Sequence, residues 1–134
     1  MPCTNRPTPA ADHGFVTIEY LLAVGLSMVV LVVIANAVVF EYGHGVVRAA
    51  VDQGVREGAR TPEAVGACQA AAQQVIDDLL GGRSGPMGSG VSITCTRTGT
   101  RVAATARARF RAWLRPIPDW SFTASASAAV EGTP

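Results

Sequence analysis

One uncharged segment constrains this chain more than any other feature of its sequence. From Tyr20 to Phe40 the sequence runs for 21 residues without a charged side chain, and only Ser27 and Asn36 are clearly polar. As an α-helix rising about 1.5 Å per residue, the segment measures roughly 30 Å, which matches the hydrocarbon core of a bilayer. A core helix of a soluble protein would show a polar face, and this segment has none. The pattern therefore predicts one transmembrane helix, within residues 15–40.

The composition limits what accompanies that helix. The chain has 134 residues, of which 49% are hydrophobic, and its formal net charge is +1. This length predicts one small domain beside the membrane segment. The near-neutral charge argues against a nucleic-acid partner, because such proteins normally carry a basic surplus. The apolar content also argues against a disordered chain.

The residues around the start of the apolar segment leave three interpretations open. One is a cleaved secretory signal, because Ala35-Asn36-Ala37 resembles a cleavage site that would leave Val38 as the first residue. The apolar run exceeds a signal core of about 7 to 15 residues, and the head is not positively charged, so a retained helix is favoured. The second interpretation is a plain signal anchor. The third gives Glu19 a function, because an ionisable group at a membrane helix normally has a partner. Otherwise Glu19 is an interfacial charge favoured by the helix dipole.

Residues 14–20 read GFVTIEY and resemble the processing site of type IV-like prepilins, with a Gly, an apolar residue and then Glu in the fifth place. The Glu19-Tyr20 pair is similar to that of the Flp pilins and pseudopilins of tight-adherence systems. Residues 47–60 resemble the stretch that follows the membrane helix in TadE-like minor pilins, although no Pro lies between Phe15 and Arg60, where such proteins often have one. The resemblance therefore covers residues 14–60.

The resemblance implies a processing step and an assembly contact. A prepilin peptidase would cut between Gly14 and Phe15. The new amine of Phe15 would then pair with the Glu19 carboxylate of a neighbouring subunit, with Tyr20 beside it. The implied function is that of a membrane-anchored minor pilin, or pseudopilin, in the assembly of a tight-adherence pilus. The implied partners are the peptidase, other pilins or pseudopilins, the assembly platform and the membrane.

Beyond Phe40 the sequence becomes amphipathic and predicts a stalk helix over residues 41–60. Gly43 and Gly45 predict a bend where this helix leaves the membrane. Small residues recur every four positions at Ala50, Gly54 and Gly58, a spacing that lets two helices approach closely. Their contact is either with a partner pilin or with this protein's own domain, and a simple fit beneath that domain is the favoured interpretation.

Residues 61–134 predict a small α+β domain on the extracytoplasmic side. Thr61-Pro62-Glu63 is typical of a helix start, and the helix is expected to end near Leu80, before Gly81-Gly82. The apolar positions spaced by threes and fours along this helix are Val65, Cys68, Ala72, Val75, Ile76 and Leu79. The Gly-rich residues 81–90 are interpreted as a flexible linker rather than a phosphate-binding loop, because no Gly-Lys-Ser/Thr follows them.

After residue 90 the hydrophobic period changes to two, which predicts three antiparallel strands. The positions expected to share one apolar face are Val91, Ile93 and Cys95, then Val102, Ala104, Ala106, Ala108, Phe110 and Ala112, then Trp120, Phe122, Ala124, Ala126, Ala128 and Val130. That face needs a helix to cover it. The predicted fold class is therefore α+β: a long transmembrane and stalk helix, a second amphipathic helix and a three-stranded antiparallel sheet. The segment before them, residues 1–14, is the predicted leader.

The cysteines bear on which compartment holds the domain. Cys68 and Cys95 both fall on inward faces, and we predict a disulfide between them, with two buried thiols as the alternative. A disulfide requires an oxidising compartment, which places the domain outside the cytoplasm, on a single-pass protein of the cytoplasmic (inner) membrane. The arginines after the helix oppose this orientation by the positive-inside rule, but longer domains translocate largely regardless of charge.

The second strand also carries a row of cations on its polar face, Arg101, Arg107 and Arg109, which Arg111 continues. This row either contacts an anionic surface or is an ordinary solvated strand face protected against edge pairing. The first reading gives the alternative function, a signal-anchored extracytoplasmic binding module that uses the Arg-rich strand face. We expect no enzyme, cofactor or metal, because His13 and His44 lie outside any zinc-like spacing and no nucleophile has a base nearby in a motif.

Overall fold

The structure is a computed structural model that describes residues 13–112 and 118–130, with side chains from Thr17 onward. Helix α1 runs from His13 to Arg60 and helix α2 from Ala64 to Leu80. A 3-10 turn, Gly88–Gly90, leads into three strands, β1 (Val91–Thr98), β2 (Arg101–Phe110) and β3 (Trp120–Ala129). The predicted α+β fold class, with two helices followed by three antiparallel strands, is confirmed.

The chain divides into two compact units, Met1–Ala35 and Asn36–Pro134. The first contributes the N-terminal part of α1, and nearly all of its described side chains are exposed. Among the described residues, α1 is the one helix long and apolar enough to cross a membrane, and the apolar window that qualifies it is entirely unburied. Exposure of so many large apolar side chains is costly in water.

The second unit is built on a sheet of order β1-β2-β3, in which both neighbouring pairs are antiparallel. Its register places Cys95 opposite Ala104 on one side and Ala104 opposite Ala126 on the other. Along β2 the buried residues are Val102, Ala104, Ala106, Ala108 and Phe110, as the period of two predicts. The inner face is thus apolar and the outer face carries Ser, Thr and Arg.

Two helices cover the inner face of the sheet. The C-terminal part of α1 contributes Val46, Val47, Ala50, Val51 and Val55 to the core, and α2 contributes Ala64, Cys68, Ile76 and Leu80. Residues 41–60 were expected to form a stalk, but the compact unit already begins at Asn36, and the helix supplies much of its core. The sheet needs this helix because α2 is too narrow to cover three strands.

The start of α2 differs from the prediction. The helix begins at Ala64, its N-cap residue Glu63 makes no side-chain capping hydrogen bond, and Pro62 lies outside it. The Thr61 hydroxyl instead donates to the carbonyl oxygen of Glu57, at 2.9 Å, so it gives a hydrogen-bond partner to a carbonyl in the last turn of α1. The last carbonyls of a helix have no partner within the helix, and the Thr61 hydroxyl supplies one of them with a donor.

The buried face of α2 is also narrower than predicted. Its buried residues are four apart: Ala64, Cys68, Ala72, Ile76 and Leu80. Val65 and Leu79 were expected inside, yet they are 40% and 49% exposed. The close approach of α1 leaves room for only one stripe of α2, so residues about 100° away from that stripe face outward.

Two further expectations need correction. Gly81 ends α2 as predicted, with a φ of 76°, but residues 81–90 are not a loose linker: Gly82 and Gly88 are buried, and Ser89 donates to the carbonyl of Gly85 at 3.1 Å. Backbone packing of glycines makes this segment compact. The helix α1 is continuous through Gly43 and Gly45, and the bend expected there stays a prediction. β2 ends at Phe110, so Ala112 lies outside the strand.

Candidate functional site

The predicted processing and assembly residues lie at the start of α1. Gly14 and Phe15 fall within the helix, while the Phe15 side chain lies outside the described part of the chain. The Glu19 side chain is exposed, and Tyr20 is 69% exposed. Nothing in the described part of this chain covers either side chain, so both are accessible to another molecule.

The stripe of small residues in α1 packs against α2. Ala50 is fully buried, and Gly54 and Gly58 are buried beside it. A Cβ added to Gly54 would lie 2.9 Å from the carbonyl oxygen of Cys68, and one added to Gly58 would lie 2.9 Å from the Cβ of Cys68. The stripe is therefore occupied within the chain and is not an open surface for a partner helix.

Cys68 and Cys95 form a disulfide between α2 and β1, with their Cα atoms 6.3 Å apart. Both residues are buried, at 0% and 7% exposure. A second contact joins the same region, because the Arg97 guanidinium donates to the carbonyl oxygen of Pro62 at 3.2 Å. The disulfide thus joins α2 to β1, and the hydrogen bond joins the α1–α2 connection to the end of the same strand.

The predicted arginine row is exposed on the outer face of the sheet. Arg107 lies between Ser92 on β1 and Thr123 on β3, and Arg109 lies opposite Ser121. These residues line an open groove of about 430 Å³. The Arg109 guanidinium is 3.9 Å from the Asp119 carboxylate, and both groups are largely solvated, so this pair contributes little to stability.

An aromatic cluster that the sequence reasoning missed lies where β2 ends and β3 begins. The Phe40 ring centroid is 4.3 Å from that of Trp120 and 5.8 Å from that of Phe122. His44 lies edge-on to Phe122, with ring centroids 4.6 Å apart, and Phe110 is 5.8 Å from Phe122. The sequence does place each ring on the correct face. Phe40 and His44 are four residues apart on α1, and the strand pattern places Phe110, Trp120 and Phe122 on the inner face of the sheet.

Within the described ranges, no group of three or more His, Cys, Asp or Glu side chains could hold a metal ion. No protein-family model, curated protein or solved structure matches this chain. The function must therefore be inferred from the residues themselves.

Proposed function

We propose that this protein is a membrane-anchored minor pilin, or pseudopilin, that takes part in assembling a tight-adherence pilus after cleavage behind Gly14. One observation carries the proposal: a single helix, α1, is apolar and exposed over its N-terminal part and forms the core of a disulfide-bonded domain over its C-terminal part. Such a helix suits a subunit that is stored in a membrane and later packs against other subunits through the same segment.

The residues at the start of α1 support a mechanism for that packing. Cleavage between Gly14 and Phe15 would create a cationic amine four residues before Glu19, at the rim of the apolar run. A carboxylate that enters an apolar environment requires a cation and hydrogen bonds to offset its desolvation. An amine on one subunit and Glu19 on its neighbour would satisfy that requirement between subunits, and the contact would set their register.

The packing of the C-terminal unit supports the same proposal, because it leaves only the N-terminal part of α1 available for contacts with other subunits. The small-residue stripe at Gly54 and Gly58 is already filled by α2, so this part of α1 is committed to the subunit's own core. Contacts between subunits would then fall to the exposed apolar residues before Ala35. The disulfide suits a domain in an oxidising compartment, on the far side of the cytoplasmic membrane.

The experiment that tests the proposal is determination of the mature N-terminus. The protein is purified from membranes of cells with and without an active prepilin peptidase, and its N-terminal peptide is identified by mass spectrometry. We expect Phe15 as the first residue only when the peptidase is active. An unprocessed Met1 despite an active peptidase contradicts the proposal, and a start at Val38 identifies a secretory signal instead.

A second candidate function is supported by the outer face of the sheet. Arg101, Arg107 and Arg109 are exposed there among hydroxyl side chains of the neighbouring strands. This face suits an anionic polymer, in which case the protein would be a tethered binding module. Glu19→Ala should then leave ligand affinity unchanged, whereas in a minor pilin it should impair assembly.

A further inference from the structure

The apolar segment of α1 ends inside the C-terminal unit. Phe40 is its last residue, and Glu41, which follows, is exposed. Asn36, Val39 and Phe40 enclose a small pocket of about 30 Å³ together with Phe110, Arg111, Ala112 and Trp120. The last turn of the apolar segment is therefore in contact with one end of the sheet, the end at which β2 stops and β3 starts.

Three different elements expose apolar side chains at this end. Trp120 at the start of β3 is 39% exposed, although its ring centroid is 4.3 Å from that of Phe40. Tyr42 on α1 is 52% exposed, and its hydroxyl donates to the carbonyl oxygen of Leu79 at 3.3 Å. Leu79, near the end of α2, is itself 49% exposed. Tyr42, Leu79 and Trp120 are named here the exit patch.

The chemistry of the exit patch suits the boundary between lipid and water. Tyr and Trp combine an apolar ring with a polar group, and both are enriched where membrane proteins cross the headgroup layer. The exposed charged groups beside the patch residues are Arg83, Arg109 and Arg111 and, opposing them, Glu41, Asp77, Asp78 and Asp119. Because three positive charges are outnumbered by four negative ones, ring insertion and not attraction to anionic lipid would supply the contact.

We propose that the exit patch rests in the headgroup layer of the membrane that α1 spans, so that the domain sits directly on the lipid surface. The proposal relies on the membrane anchoring contained in the proposed function, and not on peptidase cleavage or pilus assembly. Leu79 and Trp120 are 49% and 39% exposed, at positions where the hydrophobic pattern predicts burial. Lipid headgroups and the upper acyl chains would cover them.

The experiment uses the full chain reconstituted into phosphatidylcholine vesicles that contain lipid spin-labelled at the headgroup. The chain has two tryptophans, so Trp113→Phe leaves Trp120 as the only tryptophan, which is excited selectively at a wavelength where the tyrosines do not absorb. The matched control carries Trp113→Phe, Trp120→Phe and Thr98→Trp, which moves the fluorophore to the exposed far end of β1. The ten residues of β2 separate the two ends by about 30 Å, beyond the short range of contact quenching.

We expect the spin-labelled lipid to quench Trp120 at least about twofold more than the tryptophan at position 98, as for a ring at the interface. Trp113→Phe, Trp120→Phe and Leu79→Trp gives a second reporter in the patch, for which the same result is expected. Replacing part of the phosphatidylcholine with phosphatidylserine should leave this ratio unchanged.

Two results would overturn the inference. Equal quenching at positions 98, 79 and 120, in chains that float with the vesicles, shows an anchored protein whose domain stands clear of the lipid. Chains that fail to float show that α1 does not anchor the protein, which also removes the anchoring assumed in the proposed function. Flotation therefore separates failure of this inference from failure of that function.

Discussion

A methyl group added to Gly58 would lie 2.6 Å from the carbonyl oxygen of Ala64, closer than a Cβ can approach an oxygen without displacing it. Gly58 lies in α1 and Ala64 is the first residue of α2, so this contact sets how tightly the helical hairpin closes. Cys68 lies next along the same stripe. The geometry of the disulfide to β1 therefore depends on the absence of a side chain at residue 58.

Gly58→Ala should destabilise the C-terminal unit. Overpacking against backbone atoms costs about 1–3 kcal/mol, which exceeds the gain of roughly 1 kcal/mol from replacing a helical Gly. The measurement is the midpoint of thermal unfolding of the full chain in detergent micelles, followed by circular dichroism. We expect a lower midpoint than that of the unmodified protein.

Gly66→Ala is the matched control for that substitution. Gly66 also lies inside a helix, but beyond the backbone of its own helix and its chain neighbours no described atom lies within 4 Å of the position its Cβ would take. Alanine there should raise stability by about 0.5–1 kcal/mol through helix propensity and a less flexible unfolded chain. If the two variants shift the unfolding midpoint in the same direction, the protein does not have the close contact between α1 and α2 at Gly58.

The number of free thiols should report both the disulfide and the processing step. The chain has three cysteines, Cys3, Cys68 and Cys95, of which the last two are bonded. Alkylation of the denatured, unreduced protein should therefore label one thiol in the full-length chain and none in a chain that begins at Phe15. After reduction, mass spectrometry should count three and two labels respectively. Three labels before reduction would contradict the disulfide.

The same bond should matter for stability. It joins two cysteines that are 27 positions apart in the sequence. On the loop-entropy model, closing a loop of that length stabilises the folded unit by about 3–4 kcal/mol. The double variant Cys68→Ala and Cys95→Ala should unfold at a markedly lower temperature than the unmodified chain. A reducing agent should lower the midpoint of the unmodified chain and leave that of the double variant unchanged, which separates loss of the bond from loss of packing.

The strands were predictable from the sequence because an alternating pattern has only one way to place its apolar residues on a single face. Val102 through Phe110 are buried at every second position, and the two-residue connection at Gly99-Thr100 fixes the pairing of Thr98 with Arg101. The same alternation placed Cys95 inside, where it could reach Cys68. The alternation within each strand and the short turn between strands were therefore sufficient to predict the sheet and the burial of Cys95.

The buried faces of the helices were harder to predict from the sequence, because they depend on which elements the helices pack against. The small residues at Ala50, Gly54 and Gly58 suggest a close helix contact without naming its partner, and only the structure identifies α2. That close contact narrows the buried stripe of α2 and exposes Val65 and Leu79. The strand pattern places Phe110, Trp120 and Phe122 on the inner face, but it does not pair them with Phe40, which lies 70 to 82 residues earlier, so the cluster itself was missed.

Removing the exposed arginines should affect binding but not folding. Arg107→Ala, Arg109→Ala and Arg111→Ala together remove three solvated cations and one weak pair with Asp119, a change of about 0.5 kcal/mol or less at each site. The unfolding midpoint should therefore stay close to that of the unmodified chain. Binding to immobilised dextran sulfate is the readout for the binding-module alternative, and Arg83→Ala, an exposed arginine outside the strand, is the control.

A pronounced loss of binding in the triple variant, with normal pilus assembly, would favour the binding module. Unchanged binding to the polymer would leave the arginines with the role of a solvated strand face, in which charge on the sheet deters pairing with other chains. In a minor pilin we expect the second result.

Glu19→Ala should impair pilus assembly without harming the fold, because Glu19 is exposed at the start of α1 and touches no part of the core. In the proposed assembly contact, loss of the carboxylate would leave the amine of Phe15 on a neighbouring subunit without a counter-charge in apolar surroundings. Glu41→Ala is the control, since Glu41 is an exposed acid on the same helix, just beyond the apolar segment. Pili sheared from cells that express each variant can be quantified by immunoblot. We expect a strong reduction for Glu19→Ala, nearly normal amounts for Glu41→Ala and equal amounts of both proteins in the membrane, whereas equal pilus yields would remove Glu19 from the assembly contact.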